Sequence, residues 1–151
     1  MPWTRPRIAL VACAAVSALA MLYVGLYQIG WLARMACPGF GTACMAVAEA
    51  HFAWPLGFAD GLLGAALGGL ICAVAQINGK RAAAALVVLA AAVLLANFVG
   101  VFEMQKMGAY CFWCLLSAML SVPVVALAAL LMRSEGSGSA APVAPEDPAQ
   151  Q

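Results

Sequence analysis

The chain has 151 residues, 66% of them hydrophobic and 9% charged, with a formal net charge of +1. Seven Lys/Arg and six Asp/Glu cannot coat a water-soluble surface, and no basic stripe offers a nucleic acid a footprint. These values describe an all-α integral membrane protein of one compact bundle, with lipid as its solvent and no room for a second folded domain.

Four apolar segments approach the roughly 20 residues that a helix needs to cross hydrocarbon. Residues 8–32 form the first, with Ser17 and Gln28 as polar interruptions. Arg5, Arg7 and Ala18-Leu19-Ala20 give it the look of a signal peptide, but its apolar run continues well past that point, which favours a retained helix. Residues 33–56 make a long loop, in which Cys44 to Ala50 favours a helical turn along the bilayer surface, a cap over the bundle, and Pro55 breaks it. The second span covers 57–77 and carries Asp60 near its start. The third covers 82–102, with Asn97 as its one strongly polar member, placed to bond across helices. A short loop, 103–110, leads to the fourth span at 111–132, where Pro123 is placed to kink the helix. The fold expected is a four-transmembrane-helix bundle with a partly helical outer loop, occupying 1–133. Residues 134–151 are rich in Ser, Gly, Ala and Pro and are expected to form a disordered tail.

Positive residues mark the cytoplasmic side. Arg5, Arg7, Lys80, Arg81 and Arg133 fall on one side, and only Arg34 and Lys106 on the other. Both termini are therefore expected in the cytoplasm, with the chain a multi-pass protein of the cell inner (cytoplasmic) membrane. Trp31, Trp54, Tyr110 and Trp113 fall at the outer interface, where aromatic residues anchor a protein in the bilayer.

Six cysteines are divided by this topology. Cys13 and Cys72 lie within spans and read as small apolar residues. Cys37, Cys44, Cys111 and Cys114 all fall outside, where disulfides persist. Cys111-Phe112-Trp113-Cys114 opens a helix, so its sulfurs share a face and the first meets unpaired N–H groups that favour a thiolate. Cys37 and Cys44 flank a Pro- and Gly-containing turn able to close or move. Four thiols allow three pairings, and a C-x-x-C alone is compatible with half a metal site. Two pairs on one face favour a relay by thiol–disulfide exchange. The alternatives are a thiolate metal-binding or metal-transport protein and a tetraspan merely stiffened by its disulfides.

The order of these features resembles the vitamin K epoxide reductase (VKOR) family, in particular bacterial homologues without a fused thioredoxin domain. Carrying the resemblance are the spaced pair after the first span, Gly57-Phe58-Ala59-Asp60-Gly61-Leu62-Leu63-Gly64, and Gly108-Ala109-Tyr110-Cys111-Phe112-Trp113-Cys114-Leu115-Leu116-Ser117. The disulfide-bond protein B family has the two cysteine pairs in the opposite order. The resemblance implies an enzyme with Cys114 facing a quinone of the ubiquinone or menaquinone class, which accepts the electrons. It implies Cys111 as the disulfide partner of Cys114, exchanging with Cys44, and Cys37 meeting a separate periplasmic or extracytoplasmic thioredoxin-fold protein. Ala50 and Ala118 stand where some members carry hydroxyls, which favours quinone reduction over epoxide chemistry.

The remaining polar residues each have two readings. Asp60 either caps the second helix, the reading favoured on position, or lines the quinone pocket. Glu49 and His51 either relay protons at the outer rim or are simply solvated. Gly57, Gly61, Gly64 and Gly68 form a small-residue face for close helix contact.

Overall fold

The computed structural model describes residues 4–54 and 57–137. Among these the regular structure is helical throughout: α1 (Arg5–Gln28), α2 (Ala43–Ala48), a 3₁₀ turn (His51–Ala53), α3 (Asp60–Val74), α4 (Lys80–Met107) and α5 (Phe112–Ser137). Three of them, α1, α4 and α5, are long and apolar enough to cross a membrane, while α3 is a shorter apolar helix of 15 residues. Large apolar side chains face outward, with Phe98 70% and Met119 74% exposed. That pattern suits a lipid-facing surface and would be a liability in water.

Helix ends differ from the hydropathy pattern for reasons of backbone geometry. Rather than reaching residue 32, α1 stops at Gln28, because Gly30 takes a left-handed φ of +80°. Gly30 N–H then bonds Tyr27 C=O and Trp31 N–H bonds Leu26 C=O, which satisfies carbonyls left free by the last turn. The same device ends α4, where Gly108 has a φ of +65° and Ala109 N–H reaches Met104 C=O. Because α4 runs on to Met107, the expected loop at 103–110 is instead a tight connection at 108–111. The expected segment 57–77 shrinks to α3: Gly57 lies before the helix at a φ of +82°, and Gln76 and Ile77 bond only three residues back. At the other end, α5 passes residue 132 and runs through Ser137, so the start of the expected tail is helical. The rest of that tail, 138–151, and Pro55 lie outside the described residues.

Packing centres on α1, which lies against both α3 and α5, while α4 lies against α5. The α1–α3 contact is close because it is made by glycine. A Cβ on Gly61 would come within 2.8 Å of Gly25 Cα and of Met21 O, and one on Gly68 within 2.8 Å of Ala18 Cβ. Gly64 faces Met21 in the same row. The small-residue face therefore works as expected at three of its four glycines, with Gly57 outside it. Midway along the bundle, buried Ser17 on α1 and Ser117 on α5 share a hydrogen bond of 2.8 Å. At the inner end Arg7 bonds Asn78 and pairs with Glu135 at 3.9 Å, fastening α1 to the α3–α4 turn and to α5.

Two apolar clusters result. The inner one contains Leu10, Ile71, Leu86, Val124 and Leu131, and the outer one contains Val24, Met35, Cys44, Val47, Met104 and Cys111. Cys44, Val47 and Ala48 are buried, so α2 packs onto the end of the bundle as a cap. Contacts between α3 and α4 are sparse, and a cavity opens there.

Gly61→Ala is expected to destabilise the protein by about 1–3 kcal/mol, since the added methyl meets backbone that cannot yield. Gly69→Ala, where a Cβ meets nothing within 4 Å, is expected to be neutral or slightly stabilising. Thermal unfolding of the two variants in detergent checks the contrast; equal melting temperatures would refute the close crossing.

Candidate functional site

The start of α5 organises the sulfurs. A helix begins with N–H groups that have no partner in its own ladder. Here Cys111 C=O accepts from Leu115 N–H at 3.0 Å, which makes Cys111 the N-terminal cap. Its own N–H donates to Met104 Sδ at 3.3 Å, and the next, Phe112 N–H, donates to Cys44 Sγ at 3.4 Å. Cys44 and Cys111 are both fully buried. The loop pair therefore meets the C-x-x-C directly, and the positive end of the α5 dipole acts on Cys44 as well as on Cys111. Spacing alone gave Cys111 that advantage; Cys44 shares it through the fold.

Cys37 and Cys44 form a disulfide, with their Cα atoms 5.7 Å apart, while Cys111 and Cys114 are free thiols. The enclosed hairpin turns through Gly39 and Gly41, which take φ of +78° and +59°. Cys37 is half-buried, so the pair presents one accessible sulfur and one enclosed sulfur. The Cys111 thiol sits at the N-terminal cap of α5, where unpaired backbone N–H groups and the dipole favour its thiolate, the form that attacks a disulfide.

Cys114 faces the other way, into a cavity of about 550 Å³ between α3 and α4. Phe52, Leu63, Leu67, Val93 and Met104 supply apolar walls, and Asp60, Asn97 and Ser117 supply polar points. Asn97 makes no hydrogen bond among the described residues, which corrects the expectation of a bond across helices; it lines the cavity instead. Asp60 does not cap α3 either. Ala59 holds that position, and Asp60 is the first helical residue, its carboxylate lining the cavity.

Gln28 sets the position of Asp60, and nothing in the sequence marked it beyond being polar in an apolar run. Its Nε2 donates to Asp60 Oδ1 at 2.6 Å and lies 3.3 Å and 3.2 Å from the carbonyls of Ala48 and Ala53. Its Oε1 accepts from Gly61 N–H at 3.1 Å. One amide thus joins the end of α1, the end of α2, the 3₁₀ turn and the start of α3. It closes the cap over the cavity mouth, where Val47 and Phe52 line it.

Other expected residues are placed elsewhere. Glu49 accepts from Tyr27 Oη at 2.5 Å, and the His51 side chain makes no hydrogen bond among the described residues. Neither lines the cavity. Trp113 does more than anchor: its Nε1–H donates to Ala36 C=O at 2.7 Å. Cys13 and Cys72 pack against the inner cluster, far along the helices from the other four sulfurs. Among the described residues no three of His, Cys, Asp and Glu are grouped to hold a metal ion.

Compared with known proteins, the chain matches no protein-family model, no curated protein and no solved structure.

Gln28→Leu is expected to free Gly61 N–H, raising its hydrogen-exchange rate about fivefold at roughly 1 kcal/mol per lost bond. Exchange at the inner cluster around Leu86 should not change. Hydrogen–deuterium exchange in detergent reads both regions, and unaltered protection at Gly61 would remove Gln28 from this role.

Proposed function

We propose that this protein is a membrane thiol–disulfide oxidoreductase of the vitamin K epoxide reductase type, oxidising a thioredoxin-fold dithiol protein and reducing a lipid-soluble quinone. The observation that carries the reading is the order of the sulfurs. An accessible Cys37 is bonded to an enclosed Cys44; Cys44 lies on the C-x-x-C backbone; and Cys114 opens onto an apolar cavity with polar points. In this reading α3 is a fourth, short span. At 1.5 Å per residue its 15 residues cover about 22 Å, and the flanking turns supply the rest. The positive residues then put both termini in the cytoplasm and the sulfurs outside.

The chemistry balances as two exchanges and one transfer. A thiolate of the partner attacks Cys37, breaking the Cys37–Cys44 bond and releasing Cys44 as a thiolate that Phe112 N–H stabilises. The partner's second thiol attacks the mixed disulfide, leaves as part of the oxidised partner and frees Cys37. Cys44 attacks Cys111 of a Cys111–Cys114 disulfide, releasing Cys114, and Cys37 resolves that bond to restore the Cys37–Cys44 disulfide. Cys111 and Cys114 are then the reduced pair, which matches the bonding observed. Their two electrons and two protons pass through Cys114 to the quinone, which supplies the oxidising equivalents, and the pair closes again.

Residues around the cavity fit such an acceptor. A quinone ring is apolar across its face and polar at two opposite oxygens. Asn97 offers an unused amide N–H and Asp60, in its protonated form, a carboxyl O–H, both donors for a quinone oxygen in a largely apolar wall. The metal-binding reading lacks a grouped set of donors among the described residues.

Mixed anaerobically with a reduced thioredoxin-fold protein and a soluble quinone, the purified protein is expected to bleach the quinone absorbance. Cys114→Ala should abolish this loss. Cys37→Ala should lower partner-driven turnover at least about a hundredfold, in the range lost with a positioned nucleophile, while quinone still binds. Normal partner oxidation in either variant would sink the relay.

A further inference from the structure

Ala36, the residue before Cys37, is held through both halves of its backbone. Its N–H donates to Tyr23 Oη at 2.9 Å, and its C=O accepts from Trp113 Nε1–H at 2.7 Å. The two rings meet edge-on, with centroids 5.1 Å apart. Ala36 itself is exposed, so packing alone does not explain why this peptide is fixed. Trp113 is also one of the two residues between Cys111 and Cys114. The other, Phe112, holds Cys44 through its N–H. The pair inside the C-x-x-C thus grips both ends of the hairpin that carries the loop disulfide.

We propose that Trp113 and Tyr23 are positioning residues that keep the Cys37–Cys44 hairpin in register for exchange between Cys44 and Cys111. The proposal rests on the relay for its purpose, while its geometry involves neither quinone nor partner protein. Disulfide exchange requires three sulfurs to align, and reducing Cys37–Cys44 removes the covalent tie that orders the hairpin. The Ala36 clamp contains no sulfur, so it survives that reduction. It keeps the hairpin's first end beside α5 while Phe112 N–H holds Cys44 at the other. Two held ends keep the local concentration of Cys44 at Cys111 high, which is what an intramolecular step gains from positioning.

A trapping experiment tests this. In a protein with Cys13, Cys37, Cys72 and Cys114 replaced by Ser, only Cys44 and Cys111 remain to form a bond. Diamide takes the two electrons and two protons released as Cys44–Cys111 closes, and mass spectrometry follows the product. Trp113→Phe keeps the ring and removes the donor; Tyr23→Phe removes the hydroxyl. Each is expected to slow trapping about three- to tenfold, the effect of one lost hydrogen bond. A second background, with Cys13, Cys72, Cys111 and Cys114 replaced by Ser, reports closure of Cys37–Cys44 by the hairpin alone. That rate should not change with either ring variant. Unchanged trapping would overturn the proposal, and so would parallel slowing in both backgrounds, which would mean general loosening. Failure of the quinone assay with the expected trapping pattern would instead remove the relay reading and leave the clamp.

Discussion

In an apolar solvent a polar group that lacks a partner is costly, and this chain has few polar side chains to place. Several polar groups around the C-x-x-C share one task, joining the loop to the helices. Gln28 ties the cap to α3; Tyr23 and Trp113 hold Ala36; Tyr27 holds Glu49; Phe112 N–H and Cys111 N–H take sulfur acceptors. The hairpin, the cap and the cavity mouth all depend on this set.

The use of sulfur at the α5 N-terminus links folding to chemistry. Met104 and Cys44 are weak acceptors compared with an oxygen cap. An Asp or Ser cap would satisfy the helix better and would exclude the loop sulfur. Accepting from the helix also favours thiolate character at Cys44, because the dipole at the α5 N-terminus stabilises negative charge there. The arrangement gives up some capping energy for a sulfur held against the C-x-x-C.

Glycine gives the bundle its asymmetry. Close contact between α1 and α3 at Gly25 and Gly61 draws α3 toward α1, and α3 is left in only sparse contact with α4. The cavity occupies that gap, bordered by Gly64 and Gly100. Asp60 follows directly from the same crossing, since it precedes Gly61 and is carried to the place where Gln28 reaches it. A bulkier α1–α3 seam would alter both the gap and its polar corner.

Composition and hydropathy alone determined the helical class, the apolar helices and the grouping of four cysteines apart from two. Those features are one-dimensional: run length and order along the chain decide them. Helix ends were less legible, because Gly30 and Gly108 stop their helices inside apolar runs through backbone geometry that hydropathy does not register. Within the site, the four sulfurs and Asp60 could be read as chemically capable residue types at suggestive positions. The seat of Cys44 at the α5 N-terminus, the choice between the two readings of Asp60 and the roles of Gln28, Tyr23, Trp113 and Asn97 could not. Each depends on which neighbour a side chain meets across the bundle, and only the packing of α1 against α3 and α5 decides that.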